Sequence, residues 1–277
     1  MTEKPNAFIC GTVRNCEQYL DAVFDTIRQI QTLFNQTHIV IYYDKSDDKS
    51  LLKLVQYKVN YKDKMDIIVK NNPMTNRRTK NLANARNWII NVLNRKVESS
   101  SEDWPYFVML DMDDVCAMPP NMDVIQRALE REAEWDTISF NRPGYYDIWA
   151  LSIPPFIYSC WGWENPYNAV DIIREHIINR LAELPKSELL ECQSAFNGFA
   201  IYKTNPFLKC RYDWRMPKQY MPIRDLRINR EALGNRNSLS PLDQQTDEPD
   251  CEHRAFHMSA IANYGARVRI SPEYAFG

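Results

Sequence analysis

The stretch VMLDMDDV, residues 108–115, joins an apolar run to the carboxylates of Asp111, Asp113 and Asp114. Carboxylates crowded at the end of a buried strand repel one another and lose part of their hydration. A divalent cation relieves both costs, because cations such as Mg²⁺ bind carboxylate oxygens. The stretch therefore predicts a buried strand that ends in a candidate cation site.

Three interpretations of this acidic cluster are open on the residues alone. In the first, the cluster is a solvated turn or a helix cap, with Asp113 or Asp114 capping a turn before Pro119. In the second, the protein is a phosphatase or nuclease whose bound metals activate water. In the third, one divalent ion bridges protein carboxylates and the diphosphate of a nucleotide sugar. The surrounding sequence has to decide among them.

Strand and helix patterns alternate through the first half of the chain. Four apolar runs are typical of buried strands: AFICGTV (7–13), HIVIYYD (38–44), MDIIVKN (65–71) and YFVML (106–110). Apolar residues recur at helical spacing in the segments 20–34 and 82–92. This order predicts an α/β fold with a mainly parallel sheet flanked by helices on both faces. Ligands of such sheets bind at the carboxyl ends of the strands, where the acidic cluster falls.

The second half of the chain is less regular. TISFNR (137–142) is a further strand candidate, and Ile173, Ile177, Leu181 and Leu184 predict a helix. The many aromatic residues of this half suit either core packing or the C–H faces of sugars. Residues 215–250 are polar and lack a periodic pattern, so we expect a long loop or lid there.

Composition and charge argue against nucleic-acid-binding, membrane-spanning and disulfide-rich proteins. The 277 residues carry 34 basic and 36 acidic side chains, a formal net charge of −2, so we expect no nucleic-acid partner and no broad attraction to anionic lipid. The first residues lack a basic region followed by a long apolar stretch, and no segment approaches the roughly 20 apolar residues of a membrane span. We therefore expect a cytoplasmic protein without a transmembrane segment. Seven cysteines without CxxC spacing favour reduced, buried thiols.

Four segments in a fixed order resemble a known family. HIVIYYDKSDDKS, NLANARNWI and FVMLDMDDV are similar to the donor-binding half of GT-A glycosyltransferases, especially the large inverting, family 2-like group with a DxD motif. DCEHRAFHMSAIANYGARVRISPEY resembles the C-terminal part of the same group. The resemblance implies a GT-A (Rossmann-like) fold with a mixed, mainly parallel sheet. It also implies one catalytic domain over 1–277, with a nucleotide-binding half at 1–115 and an acceptor-binding half at 116–277.

The resemblance implies an activity and a set of donor-binding residues. The expected reaction moves a sugar from a nucleotide diphosphate sugar, UDP in particular, to a glycan or glycoside acceptor hydroxyl, with inversion. Asp44 matches a family carboxylate that accepts a hydrogen bond from the base; a solvated turn is the other interpretation. Arg86 matches the arginine of the Ala-Arg-Asn helix, and Arg77, Arg78 and Lys80 are equally placed to meet phosphate. The full set of expected nucleotide-sugar contacts is Thr12, Val13, Arg14, Asp44, Arg78, Arg86, Asp111 and Met112.

The remaining expected roles are metal binding, acceptor binding and proton transfer. Asp111 and Asp113, with His253 or His257, are expected to hold Mn²⁺ or Mg²⁺ beside the diphosphate. Asn197, Gly198 and Trp163 are expected to border the sugar or acceptor; for Asn197 and Gly198 a tight turn is the alternative. Glu252 is the first candidate for the catalytic base and Asp250 the second. The family's acidic pair is split here as Asp250-Cys251-Glu252.

Other functions compete with glycosyl transfer. A metal-dependent nucleotidyltransferase or phosphohydrolase would use the same carboxylates, and a non-enzymatic carbohydrate-binding protein would use the aromatic residues alone. The HxxxH spacing of His253 and His257 also permits zinc. The HExxH order of zinc peptidases is absent from the sequence.

Overall fold

The computed structural model describes residues 4–70, 75–158, 169–234 and 249–277. Within these residues eight strands form one sheet in the order β3-β2-β1-β4-β7-β5-β8-β6. The strands are β1 (Ala7–Val13), β2 (Thr37–Tyr43), β3 (Met65–Val69), β4 (Tyr106–Asp111), β5 (Thr137–Asn141), β6 (Leu190–Cys192), β7 (Phe199–Lys203) and β8 (Val268–Tyr274). The α-helices are α1 (Leu20–Gln31), α2 (Ser50–Tyr61), α3 (Arg78–Ser99), α4 (Met122–Glu130), α5 (Ala169–Glu183), the single turn α6 (Thr204–Phe207), α7 (Ile223–Ala232) and α8 (Glu252–Tyr264).

The first four strands are parallel, and each was predicted from its apolar run. β1 lies between β2 and β4, and β2 pairs with β3. Along β4 the side chains alternate between two cores: Tyr106, Val108 and Leu110 pack with α1 and α4, whereas Phe107 and Met109 pack with α3 and α8. Both faces of the strand are therefore buried, which explains the continuous apolar run. The predicted α/β class, with a mainly parallel sheet flanked by helices, is confirmed.

The second half of the chain extends the same sheet in a mixed arrangement. β7 runs antiparallel to both of its neighbours, β4 and β5, and β8 pairs parallel with β5. The predicted helix around Ile173, Ile177 and Leu181 is α5, and those three side chains are buried. They pack in a third cluster against residues of β6 and β8.

One prediction about this half was wrong in part. The expected loop over 215–250 contains a helix, α7, whose residues are mostly exposed apart from Leu226 and Asn229. A helix that buries so few side chains has no wide apolar stripe, so periodicity could not reveal it. Residues 235–248 lie outside the described part of the chain.

Two further expectations concern cysteines and membrane spans. The six cysteines in the described residues are all free and buried, as expected; Cys160 is not among those residues. No helix in the described ranges has the length and apolar character needed to cross a membrane.

Candidate active site

A cleft of about 310 Å³ lies where the parallel strands β1, β2 and β4 end. Thr12 pairs with Tyr42 on one side and with Asp111 on the other, so the three strand ends lie next to each other. The first half of the chain contributes Thr12, Val13, Arg14, Cys16, Tyr42, Asp44, Arg78, Thr79, Asn81, Leu82, Ala85, Arg86, Asp111, Met112 and Asp113. The second half contributes Tyr146, Asp147, Trp149, Phe196, Cys251, Glu252 and His253. All eight expected nucleotide-sugar contacts line this cleft.

Two strand-end carboxylates lie in the cleft at an electrostatic cost. Burial, together with the nearby charge of Asp113, raises the pKa of Asp111 to about 7. Burial also raises the pKa of Asp113 above its ordinary value. One oxygen of Asp113 accepts a hydrogen bond from the Val115 N–H at 3.2 Å and caps a 3₁₀ turn, so the cap interpretation holds for that oxygen. Asp114 is exposed and lies outside the cleft lining.

Arg86 connects two of the acidic groups. Its side chain is buried in the middle of α3, and its guanidinium forms an ion pair with Glu252. A second nitrogen of the same guanidinium lies 3.5 Å from Asp111. Its Nε has no hydrogen-bond partner among the described residues. A buried guanidinium that holds two carboxylates and keeps a free N–H is suited to contact an additional anion.

The other basic residues near the start of α3 separate into two groups. Arg78 is exposed and lines the cleft. Arg77 and Lys80 instead lie over the ring of Trp214, at 4.7 and 5.5 Å from its centroid. Among the candidates for a phosphate contact, the structure therefore brings Arg78 and Arg86 to the cleft.

The two histidines of α8 have different surroundings. His253 lines the cleft, its ring stacks on Phe196 with centroids 4.0 Å apart, and neither ring nitrogen has a hydrogen-bond partner within the described chain. Burial lowers its pKa well below the ordinary value, so the ring is neutral. His257 lies deeper in the core, where its two nitrogens contact the Ser194 hydroxyl at 2.9 Å and the Tyr202 hydroxyl at 3.0 Å. Both of its nitrogens are therefore engaged within the core, and the structure does not bring His257 to the cleft.

The two candidate bases also differ. Glu252 lines the cleft. Asp250 is fully buried away from the cleft, and its oxygens accept hydrogen bonds from Arg254 Nε at 2.9 and 3.1 Å. A carboxylate held this way in the core stabilises structure, and the structure does not bring Asp250 to the cleft.

The expected acceptor residues are placed differently from the prediction. The Asn197 amide donates to the Phe140 carbonyl at 2.9 Å and accepts from the Asp147 N–H at 3.0 Å, so it is not free for a sugar hydroxyl. Gly198 has φ +84°, and a Cβ there would collide with Val115. Its carbonyl accepts the Asp111 N–H at 2.9 Å. Both residues form the tight turn that was the alternative, and that turn supports Asp111 and Asp147. Trp163 lies outside the described residues.

Several cleft residues of the second half were not predicted from the sequence, chiefly Tyr146, Asp147, Trp149 and Phe196. Three of them belong to the segment YYDIWA (145–150), which has neither strand nor helix periodicity. The one available signal was an acidic residue inside an otherwise aromatic and apolar segment. Burial raises the pKa of this Asp147 carboxyl above its ordinary value.

The residues at the strand ends fit a divalent cation that is shared with a substrate. In the described ranges there is no group of three or more His, Cys, Asp or Glu side chains arranged to hold a metal ion by themselves. Mg²⁺ is commonly bound by one or two carboxylates, with water and substrate phosphates as its other ligands. Asp111 and Asp113 supply such a pair. Burial, and after it a neighbouring carboxylate, raises the pKa of each, and a bound cation would offset both effects.

Comparison with known proteins found similar solved structures but no matching sequence. Neither a protein-family model nor a curated protein sequence matches the chain. The S. aureus TarS 1–349 structure in complex with UDP-GlcNAc is 14% identical, covers 98% of this chain and 57% of its own, and has a TM-score of 0.44. The mannosyltransferase PcManGT from Pyrobaculum calidifontis, in complex with GDP-Man and Mn²⁺, is 16% identical over 51% of this chain and 37% of its own, with a TM-score of 0.37.

The chain thus spans little more than half the length of the TarS fragment. A likeness of this identity and TM-score assigns neither an activity nor a substrate to the protein.

Proposed function

We propose that the protein is a glycosyltransferase that moves a sugar from a nucleotide diphosphate sugar to an acceptor hydroxyl in this cleft. The observation that carries the proposal is the meeting of strand-end carboxylates, Asp111 and Asp113, with the cationic side chains of Arg78 and Arg86 in one cleft at the carboxyl edge of the sheet. A diphosphate bound there would face cationic groups and a cation site together.

The donor is proposed to bind along the ends of β1 and β2. Asp44 lines the cleft, and its Oδ1 accepts the Lys45 N–H at 3.0 Å, which orients the carboxylate. An oriented carboxylate accepts the imide N–H of uracil, and this supports UDP as the carrier. Arg78 would meet the diphosphate with its exposed guanidinium, and Arg86 through its Nε, which has no hydrogen-bond partner among the described residues.

Asp111 and Asp113 are proposed to hold Mn²⁺ or Mg²⁺ together with the diphosphate. When bound, the ion would neutralise the negative charge that develops on the departing diphosphate. His253 lines the same cleft with a neutral ring, and neither of its nitrogens has a hydrogen-bond partner among the described residues, so it is the histidine candidate for this coordination sphere.

The transfer is proposed to invert the anomeric configuration. Such a reaction needs a carboxylate that accepts the acceptor's proton as its oxygen attacks the anomeric carbon. Glu252 and Asp147 are the two carboxylates that the described second half of the chain places in the cleft.

Product analysis tests the proposal. The protein is incubated with Mn²⁺, one of several donors (UDP-glucose, UDP-galactose, UDP-GlcNAc or GDP-mannose) and a set of methyl glycosides. We expect a new glycoside and free nucleoside diphosphate, with inverted configuration by NMR. Asp103→Asn, at an exposed carboxylate away from the cleft, serves as the control and should retain activity.

The reaction products also distinguish the proposed transferase from a phosphohydrolase. A metal-dependent phosphohydrolase would split the diphosphate linkage and release sugar 1-phosphate with nucleoside monophosphate. That pair of products, or donor binding without any turnover across the acceptor set, would contradict the proposed transferase.

A further inference from the structure

Asp147 is a buried carboxyl in the cleft that has no assigned role. It is 9% exposed, and its Oδ1 accepts the Ala150 N–H at 3.2 Å. Within the described residues it has no ion-pair partner. Its neighbour Tyr146 lines the same cleft and is 45% exposed, so a flat aromatic surface stands beside the carboxyl. An aromatic face next to a carboxylate is a suitable arrangement for a sugar acceptor.

Glu252 is the other carboxylate that the described second half of the chain contributes to the cleft, and it is already paired with an arginine. Its Oε1 forms a buried ion pair with Arg86. A carboxylate oxygen that is already in contact with a guanidinium is not available to accept the proton of an acceptor hydroxyl. The pair also fixes Arg86, whose guanidinium reaches Asp111. Glu252 is therefore placed to position Arg86 for the diphosphate.

Hydrogen bonds with Asn197 and Arg254 fix the backbone of the segment that carries Asp147. Asn197, with φ 54°, accepts the Asp147 N–H at 3.0 Å and donates to the Phe140 carbonyl. The Arg254 guanidinium donates to the carbonyls of Trp149 and Leu151, each at 2.7 Å. Asp250 in turn fixes Arg254. The Asp250–Arg254 ion pair and the turn at Asn197 thus fix the backbone that places Asp147 and Tyr146 in the cleft.

We propose that Asp147, and not Glu252, is the catalytic base for the acceptor hydroxyl, with Glu252 acting as a positioning residue for Arg86; this rests on the proposed function. The acceptor O–H bond breaks and its proton passes to Oδ2 of Asp147, while the acceptor oxygen forms a bond to the anomeric carbon. The bond from that carbon to the diphosphate oxygen breaks, and the nucleoside diphosphate leaves with the electron pair. The raised pKa of Asp147 is in keeping with this role, because a stronger base accepts the proton more readily.

The test compares two isosteric variants, Asp147→Asn and Glu252→Gln, with Asp103→Asn as the control. Wild-type protein is first titrated with UDP and GDP in the presence of Mn²⁺, and then assayed with the donor that it uses and a methyl glycoside acceptor. We expect Asp147→Asn to bind nucleoside diphosphate within about threefold of wild type but to lose roughly 10²-fold or more in kcat for transfer. Glu252→Gln should mainly raise the donor Kd and KM, because Arg86 is no longer held.

The outcomes separate this inference from the proposed function. If wild type binds no nucleoside diphosphate or forms no glycoside, the proposed function fails and the assignment of Asp147 fails with it. If wild type is active but Glu252→Gln loses kcat at unchanged donor affinity while Asp147→Asn keeps near-normal kcat, Glu252 is the base and the inference is wrong. A misfolded Asp147→Asn is recognised by its loss of nucleotide binding. In that case we use Asp147→Glu, which keeps the carboxylate and should retain part of the wild-type transfer rate. If it retains none, Asp147 is not the base.

Discussion

At the scale of single residues, the buried carboxyl of Asp111, with Asp113 nearby, makes stability depend on pH. In the folded protein the pKa of Asp111 is about 7, whereas an unfolded chain releases this proton near pH 4. Between these values the folded state binds more protons, so the free energy of unfolding falls as the pH rises. We expect Asp111→Asn, measured without divalent metal, to gain stability relative to wild type by on the order of a few kcal/mol between about pH 4.5 and pH 8. Thermal unfolding at both pH values gives this difference.

The control for this prediction is Asp103→Asn, whose carboxylate is exposed. Its Tm difference from wild type should stay constant over the same range. If Asp111→Asn behaves like Asp103→Asn, burial and the charge of Asp113 do not raise the pKa of Asp111 in the folded protein.

Gly198 is the second residue on which the site depends. An alanine there faces both an unfavourable positive φ and a collision of its Cβ with Val115, in the turn whose carbonyl binds the Asp111 N–H. Gly265, at the end of α8, has φ +66°, and a Cβ added there would meet open space among the described residues. We expect Gly265→Ala to cost about 1 kcal/mol and Gly198→Ala about 2–4 kcal/mol of unfolding free energy in urea titrations. Equal losses in the two variants would show that the close approach of Val115 to Gly198 does not affect stability.

At the scale of elements, the buried pair of Asp250 and Arg254 joins α8 to the segment that carries Asp147. Arg254→Met leaves Asp250 buried without its cation and removes the donors to the Trp149 and Leu151 carbonyls. We expect a loss of about 3–5 kcal/mol in unfolding free energy. Arg127 is half-exposed in its ion pair with Glu273, so Arg127→Met is the matched control and should cost less than about 1 kcal/mol. Similar losses in the two variants would mean that the Asp250–Arg254 pair does not anchor this segment.

The elements of the first half could be predicted because their patterns are local. The side chains of β4 alternate between two cores, so the strand is one apolar run, and its acidic end marks the carboxyl edge of a parallel sheet. The rule that ligands bind at this edge correctly predicts that Thr12, Asp44 and Asp111 share one cleft. His253 and His257 lie one turn apart on α8, and that helix is buried on most sides. Spacing therefore could not tell that His253 lines the cleft while His257 faces the core.

At the scale of the whole molecule, the second half of the cleft depends on contacts between distant segments. Asp147 is positioned by Asn197, fifty residues further along the chain, and no local pattern reports such a contact. β7 enters the sheet between β4 and β5, and its short antiparallel pairing carries no sequence signal of that position. The small net charge of the whole chain predicted no broad attraction to anions, and it could not reveal that three cationic side chains, Arg14, Arg78 and Arg86, are gathered in one cleft.

The most direct test of the central claim is calorimetric titration of the protein with UDP and with GDP, in Mn²⁺ and in EDTA. If Asp111 and Asp113 hold an ion that the diphosphate shares, one of these nucleotides binds tenfold or more tightly in Mn²⁺, roughly 1.4 kcal/mol. Asp113→Asn should lose that gain and Asp103→Asn should keep it. Equal affinity in Mn²⁺ and EDTA, or no binding of either nucleotide, would contradict a metal-linked nucleotide site at the carboxyl edge of the sheet.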